Sequence, residues 1–511
     1  MQALLAAAPV LVVLVLMVGF GWSAARAGTV TAAGTLALAA VAFGFGGPDD
    51  PFSTGAGVVG VGAEAAFVAF TVVAIIGPAL GIHHLQQRTG ATDVLRAGLA
   101  RLTPDPRVAA LLIAWFFTLF LEGAAGFGTP VALAAPFLVA AGFPPLAAVT
   151  AALVGHAVGV SFGAVGTPVM AQVSATDFTG PELAASTAPY HVLLGWVLVI
   201  ALVVIVSRAL PASAPTWGWG AVAAVTFFVP FGLIARFVGP ELPTLGGAVL
   251  GGAAFVALVS TVARRSAVPS TTVGPPPPEE SDAPSGGQLV RAAAPYVSLI
   301  ALVLVTRLIP PIRDALFGVV VDWELFGVFS GSIRPLYHPG LLLPVAFAAG
   351  AVAQRVTMAD VAHSIGQTNR LLAPVVVALL AMVLIARTMS QAGLTDELAL
   401  AAAGVGGAWP LLAPAVGALG TFVTGSATAS NILFTDLQAN TADAIDRPQL
   451  PLLGAQGFGA AVGNIVCPHN VVAAAATVGL AGREGAILRR TLPVAALYVA
   501  LGGLLALWFV R

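Results

Sequence analysis

Residues 120–125 read FLEGAA, and residues 422–427 read FVTGSA. Each hexapeptide begins with phenylalanine and has glycine at its fourth position, and their numbers differ by 302 (422 − 120). Two further landmarks keep nearly the same offset: it is 303 between Thr89–Leu95 and Ala392–Leu398, and 300 between Gly163 with Pro168 and Gly463 with Pro468. Three landmarks that share nearly one offset predict two structural repeats in the chain.

The composition places the chain in a lipid bilayer. Of the 511 residues, 58% are hydrophobic and only 8% are charged, and the mean hydropathy is +0.98. A water-soluble domain does not bury that much apolar surface. The net charge of −1 argues against a nucleic-acid partner, and the single cysteine, Cys467, excludes a disulfide framework and a cysteine-built metal site. We predict no cofactor and no metal.

Apolar runs long enough to cross the hydrocarbon core, about 20 residues each, recur throughout the sequence. They predict an all-α polytopic membrane protein with about twelve transmembrane helices. The predicted spans lie near 4–22, 29–46, 62–82, 146–175, 188–207, 217–235, 240–262, 291–309, 340–355, 371–388, 449–480 and 490–510.

Two more apolar stretches, 107–142 and 408–435, are each interrupted by a segment rich in glycine and threonine. We interpret them as re-entrant hairpins. The spans 146–175 and 449–480 follow these hairpins and each contains an internal proline, which predicts broken helices. Irregular backbone at membrane depth is tolerated where it lines a cavity, so these four segments are the predicted substrate pathway.

The predicted organisation has six parts. They are two N-terminal helices (1–61), a first repeat (62–210), two helices (211–263), a cytoplasmic proline-rich linker (264–290), connecting helices (291–364) and a second repeat (365–511). Seven crossings separate the starts of the two repeats, and an odd number inverts the second copy. With the amino terminus outside, two thirds of the 21 basic residues, all arginine, lie on the cytoplasmic side, as positive charges in short loops should.

The hairpin tips are the candidate binding site, because glycine-rich turns at helix ends present amide N–H groups and hydroxyls that suit a carboxylate. Glu122 is the carboxylate placed inside a hairpin. A buried acid is costly unless it is protonated or paired, which indicates proton coupling; the alternative is a structural acid bonded to its own tip. His156 and His469 are further candidates for proton coupling, although a packed core histidine is the alternative for His156.

Other classes of protein are less well supported. Gly159–Gly163 reads GVSFG, which fits the nucleophile-elbow pattern by letter but lies in a helical span with no preceding strand. Neither a His-Glu-x-x-His motif nor a phosphate-binding loop motif occurs, so the sequence supports neither a protease nor an ATP-driven pump. We therefore predict a transporter and no catalytic residues. An anion channel remains as an alternative.

Five stretches of the sequence resemble the L-lactate permease family: Phe120–Pro136, Phe162–Pro168, Gly239–Gly247, Phe422–Phe434 and Gly459–Arg483. The resemblance implies a secondary transporter of lactate, glycolate and similar 2-hydroxy monocarboxylates, typically coupled to protons, in the plasma membrane of a prokaryote. It also implies inverted repeats with a substrate site between hairpin tips and broken helices. The family's EGAAGFGTP glutamate falls on Glu122. Ala427 stands where relatives often have aspartate.

Pattern and resemblance together predict import of L-lactate or glycolate by proton symport with alternating access. A sodium-coupled carrier, or a carrier of another carboxylate, is the alternative within the class. The predicted partners are the carboxylate substrate, protons and the lipid bilayer. The sequence does not decide whether the protein forms a homodimer. The predicted substrate-binding residues are Gly123, Gly126, Gly128, Thr129, Thr167, Thr424, Gly425, Ser426, Thr428, Ser430 and Asn431.

Overall fold

The computed structural model describes residues 2–20, 22–48, 50–100, 105–124, 126, 129–209, 215–265, 284–480 and 483–511. Helices make up almost all of the described chain, as the composition predicts. The proline-rich part of the predicted linker, residues 266–283, lies outside the described residues.

The N-terminal half is a series of helices with short connections. The first three helices are α1 (Gln2–Leu14, continued by a π-helix over Val15–Gly19) and the longer α2 (Ala24–Ala42) and α3 (Thr54–Arg88). The short helices that follow are α4 (Ala91–Ala100), α5 (Pro106–Leu111), α6 (Thr118–Ala124), α7 (Thr129–Ala140), α8 (Pro145–His156) and α9 (Gly163–Val173). Helices α10 (Gly180–Leu194), α11 (Trp196–Ala209), α12 (Pro215–Phe237) and α13 (Pro243–Arg265) complete this half.

The C-terminal half begins with α14 (Gly286–Leu308) and the short α15 (Pro310–Phe317). Two strands follow, β1 (Val321–Leu325) and β2 (Phe329–Ile333), and then α16 (Pro339–Ala353). The remaining helices are α17 (Met358–Gln391), α18 (Leu394–Ala403), α19 (Trp409–Thr424), α20 (Ala427–Ala444), α21 (Gln449–Gly463), α22 (Pro468–Thr477) and α23 (Glu484–Phe509).

Nine helices of the described chain are long and apolar enough to cross a membrane, or up to eleven if each sharply bent helix pair counts as one span. Shorter apolar helices occur at Gln2–Val13, Pro130–Val139 and Gly340–Ala353. The multi-pass helical architecture is confirmed. The predicted number of about twelve crossings is not.

Two parts of the chain carry the same order of elements. A long helix is followed by a ten-residue helix, a helical hairpin and a broken helix, first in α3 to α9 and again in α17 to α22. The two long helices have 35 and 34 residues, and α4 and α18 have ten residues each. The domain boundaries and the inversion of the second copy stay predictions.

Both predicted helix breaks are present. In the first copy, α8 runs through a 3₁₀ turn (Ala157–Phe162) into α9, and three consecutive residues, Ala164, Val165 and Gly166, have left-handed backbone with φ of 43°, 57° and 80°. Left-handed backbone costs an ordinary residue about 1–2 kcal/mol. The strain at Ala164 and Val165 is held by burial, since both are at most 2% exposed. In the second copy, α21 ends at Gly463 and α22 starts at Pro468.

Glycines let the helices around these breaks pack backbone to backbone. A Cβ atom on Gly155 would lie 1.7 Å from the Ala114 carbonyl oxygen, and one on Gly459 would lie 2.0 Å from the Pro414 carbonyl oxygen. No side chain fits at such distances. Each broken helix is therefore held directly against the first arm of the hairpin that precedes it.

The antiparallel β-hairpin was not predicted, although the strands VDWEL and FSGSI alternate apolar positions with polar or glycine positions. Val321 pairs with Ile333, and Leu325 pairs with Phe329. Phe329 is fully buried and its ring lies over the backbone of Gly60, where a Cβ would come within 2.1 Å of it. The hairpin is thereby fixed to α3.

Candidate functional site

The tip of the first hairpin contacts the break between α8 and α9. Glu122, near the end of α6, is 5% exposed. A Cβ on Gly163 would lie 2.2 Å from Glu122 Oε1, and one on Gly126 would lie 3.4 Å from the same atom. Within the described chain this carboxylate has no hydrogen-bond donor. It rests against bare backbone at the start of α9.

The tip of the second hairpin is a tight turn between α19 and α20. Gly425 ends α19 with left-handed backbone, φ 76°, a conformation that favours glycine. Ser426 is the N-cap of α20, and its hydroxyl accepts a hydrogen bond from the amide of Ala429 at 3.3 Å. The Thr424 hydroxyl donates to the Gly420 carbonyl at 2.8 Å and accepts from the Ser426 amide at 3.3 Å. These polar groups stabilise the turn itself.

A chain of buried amides ties the second hairpin to the first broken helix. Asn431, which is 1% exposed, donates from Nδ2 to the Pro168 carbonyl at 2.9 Å. Gln456 of α21 donates from Nε2 to Ser430 Oγ at 3.3 Å and to Asn431 Oδ1 at 3.4 Å. Both hairpins therefore contact residues 163–168, Glu122 at Gly163 and Asn431 at Pro168. The predicted convergence of hairpin tips and a broken helix is seen on this segment.

Other predicted binding residues lie nearby with different partners. The backbone of Gly123 packs against Leu245, where a Cβ would lie 2.5 Å from the amide nitrogen. Thr167 donates to the Ala164 carbonyl at 2.6 Å, and Ser430 donates to the Gly417 carbonyl at 2.7 Å. Thr428 is 3% exposed, and its hydroxyl has no hydrogen-bond partner within the described residues.

Three of the predicted residues lie wholly or partly outside the described atoms. They are Gly128 and the side chains of Thr129 and His469. The third candidate for proton coupling, His156, is 1% exposed and bonds within its own helix, from Nδ1 to the Ala152 carbonyl at 3.1 Å. That bond fits the packed core histidine that the sequence left as an alternative.

Gln456 was not predicted, although the repeat offset marks it. It lies 300 positions after His156, the same offset as between Gly163 and Gly463. A polar residue in the middle of the apolar α21 is a second signal.

A buried hydrogen-bonded chain of Ser161, His191 and Tyr498 was also missed. Ser161 Oγ lies 2.8 Å from His191 Nε2, and His191 Nδ1 lies 3.0 Å from the Tyr498 hydroxyl.

A polar cavity is lined by residues other than those of the hairpin tips. It has a volume of about 780 Å³, and its wall includes Glu64, Met170, Ser174, Glu241 and Arg387. None of the described hairpin-tip residues predicted to bind substrate belongs to its wall. The described wall of this cavity and residues 163–168 share no residue.

Comparisons with known proteins match this chain to one family over most of its length. The sequence pattern of the L-lactate permease family matches residues 2–333 and 327–511. The L-lactate permease of Escherichia coli K12 is 28% identical over 474 residues, covering 84% of this chain and 83% of that protein. The L-lactate permease of Bacillus subtilis is 28% identical over 458 residues, with 82% and 81% covered. The glycolate permease GlcA of E. coli K12 is 29% identical over 475 residues, with 85% and 83% covered.

Among solved structures, MtrF of Neisseria gonorrhoeae, an antimetabolite efflux pump, matches with a TM-score of 0.51 and 15% identity. The match covers 94% of this chain and 95% of that chain. At this identity the likeness concerns the fold alone. The curated relatives are bacterial permeases, not enzymes, and with the apolar helices they place the chain in a bacterial plasma membrane. The chain belongs to the L-lactate permease family.

Proposed function

We propose that this protein imports L-lactate or a related 2-hydroxy monocarboxylate such as glycolate by proton symport with alternating access. The observation that carries the proposal is the family match over both halves of the chain, with lactate and glycolate permeases among the relatives. The convergence of two hairpin tips on one strained helix break supports it. Strained backbone of this kind clusters at functional sites.

The substrate site in this proposal lies between the two tips and residues 163–168. Amide groups at the start of α20 and around the break suit a carboxylate. Thr428 suits the 2-hydroxyl group of lactate, because its own hydroxyl has no protein partner in the described structure. Asn431 and Ser430 hold the tip in place through the bonds to Pro168 and Gly417.

Glu122 carries the coupled proton in this proposal. An ionised carboxylate against bare backbone costs several kcal/mol in a low-dielectric site, whereas the protonated acid does not. Because Glu122 touches Gly163 and Asn431 bonds to Pro168, both hairpins act on the same short segment. Protonation of Glu122 and occupancy of the substrate site are thereby mechanically linked.

Alternating access in this proposal requires the hairpins to separate from the break in turn. The described conformation has the tips buried, since Glu122, Thr428 and Asn431 are each at most 5% exposed. Opening on the side of the second hairpin breaks the bond from Asn431 to Pro168. A sodium-coupled carrier of the same fold is the main rival.

The experiment is uptake of radiolabelled L-lactate by purified protein in liposomes, with unlabelled glycolate and acetate as competitors. We expect L-lactate to accumulate and glycolate to compete better than acetate, which lacks the 2-hydroxyl group. The Asn431→Ala variant should lose most uptake. Asn440→Ala is the matched control, because Asn440 lies on the same helix but bonds to Asp396 at an exposed position. No uptake of L-lactate, or acetate competing as well as glycolate, would refute the proposed substrate class.

A further inference from the structure

A second polar region lies apart from the hairpin tips, in the cavity of about 780 Å³, which we call the vestibule. Its wall is formed by α3, the end of α9 with the loop to α10, the loop before α13, the β-hairpin and one residue of α17. The sequence topology places this side outside the cell.

Arg387, the contribution of α17, is partly buried at the vestibule wall. One of its guanidinium nitrogens donates to the Ser174 carbonyl, and its charge is attracted by the carboxylates of Glu64 and Asp436. A guanidinium has five N–H donors, and the described structure shows one bond. An arginine within a transmembrane helix is costly, so a residue of this kind indicates a functional site.

Glu64 of α3 lies on the same wall and is 6% exposed. Its Oε1 accepts hydrogen bonds from the Ser330 amide at 3.4 Å and from Gln391 Nε2 at 3.5 Å. Its Oε2 is buried and has no partner among the described residues. The described salt bridges include no direct pair between Glu64 and Arg387. The vestibule thus holds a carboxylate oxygen and a guanidinium that are near each other but not joined.

We propose that Arg387 is an anion-binding station in the vestibule, where the carboxylate of a small monocarboxylate substrate replaces Glu64 as the counter-ion of the guanidinium. The proposal rests on the function proposed above for its substrate class. The planar guanidinium binds a carboxylate through two parallel hydrogen bonds, which Glu64 does not supply from its present position. The station fills before the substrate reaches the hairpin tips.

Anion binding at this station depends on the position of Arg387 and not on the overall charge of the vestibule wall. The vestibule wall also carries Asp177, Glu241, Arg334 and His338, so acidic groups outnumber arginines. Arg334 is exposed on the β-hairpin side, where water screens its charge. Arg387 is partly buried, and a guanidinium there attracts an anion more strongly than an exposed one does.

The test measures the local preference for anions without transport. Cys467, the only cysteine, is fully buried, so a Cys467→Ala background with Ala175→Cys carries one thiol on the vestibule wall, next to Ser174. Its rates of reaction with a sulfonate-bearing and a trimethylammonium-bearing methanethiosulfonate give a charge preference. We expect Arg387→Gln to lower the sulfonate-to-ammonium ratio about fivefold and to abolish protection by millimolar L-lactate.

Three further variants keep the test decisive. Arg387→Lys retains the charge and should retain most of the ratio, which excludes loss of folding as the cause. Glu64→Gln removes the competing carboxylate and should raise the ratio and lower the lactate concentration that protects. Arg334→Gln is the matched control with the same charge change in the same vestibule. Equal effects of Arg334→Gln and Arg387→Gln, or lactate protection that survives Arg387→Gln, would overturn the proposal. Uptake by the unsubstituted protein tests the substrate class separately.

Discussion

The Glu122 carboxylate lies against the Cα atom of Gly163, and this contact defines the chemistry of the first hairpin tip. A Cβ on Gly163 would lie 2.2 Å from Oε1, so the glycine makes room for the acid. In the proposed function, burial of the carboxylate at this contact favours its protonated form. The position of the hairpin would then be coupled to the protonation of Glu122.

Gly163→Ala should therefore impair proton-driven uptake much as Glu122→Gln does, because the new methyl group displaces the carboxylate. We expect a fall in L-lactate uptake of at least about tenfold, corresponding to a little over 1 kcal/mol. Gly34→Ala is the control, since a Cβ at Gly34 has open space within 4 Å. Uptake rates in liposomes measure both. Normal uptake by Gly163→Ala would show that the contact has no role.

Thr428→Val keeps the side-chain shape and removes the hydroxyl that we assign to substrate recognition. We expect the KM for L-lactate to rise about three- to tenfold, the range for one lost hydrogen bond, with little change in protein yield. Thr441→Val is the control on the same helix, because the Thr441 hydroxyl bonds to the Leu437 carbonyl of its own helix. Competition curves with acetate should be unchanged. An unaltered KM would show that Thr428 does not bind the hydroxyl group of the substrate.

Among single residues, the sequence predicted polar side chains at the interruptions of apolar segments. It missed polar side chains from distant segments that line one cavity. Glu122 and Asn431 stand out because they are polar residues that flank the glycine-containing turns of the hairpin tips. Arg387 and Glu64 are isolated polar residues in long apolar runs, and nothing local shows that they face one vestibule. Their proximity depends on packing of α3 against α17, over 323 positions of sequence (387 − 64).

The break between α8 and α9 is the element on which both hairpins act. Its two left-handed residues other than glycine, Ala164 and Val165, store strain that burial holds in place. Ala164 has φ 43°, a conformation in which glycine is favoured over alanine. The break is thus held in a conformation that its own sequence does not prefer.

Ala164→Gly should relieve this strain and stabilise the folded protein by about 1 kcal/mol. The same change at Ala171, in regular helix of α9, should destabilise it by a similar amount, because glycine lowers helix propensity. Thermal unfolding of both variants in detergent measures the two effects. If both variants lower the melting temperature equally, the left-handed residues are not strained.

At the element scale, hydrophobic runs predicted the long helices, the two hairpins and both helix breaks, because each has a local signal in glycine and proline. The β-hairpin was missed although it has a local signal: the strands VDWEL and FSGSI alternate in polarity on either side of a turn that contains Gly327. The strands are five residues each and are exposed or half-buried apart from Phe329, which fixes them to α3. Runs this short were outweighed by the membrane-length apolar segments on either side.

The repeated order of elements gives the whole molecule its organisation, and its orientation in the membrane can be tested. In the Cys467→Ala background, Ser332→Cys on the β-hairpin should react with a membrane-impermeant maleimide in intact cells. Gly287→Cys, at the exposed start of α14, should react only after permeabilisation. Labelling of both from outside would contradict the predicted topology and the inversion of the second repeat.

Proton coupling through Glu122 is tested by L-lactate uptake into proteoliposomes under an imposed inward proton gradient, with and without a protonophore, for the unsubstituted protein and Glu122→Gln. We expect the unsubstituted protein to accumulate lactate uphill and the protonophore to abolish this accumulation. Glu122→Gln should lose the accumulation and retain lactate exchange. Accumulation driven by sodium alone, or undiminished proton-driven accumulation in Glu122→Gln, would contradict this coupling.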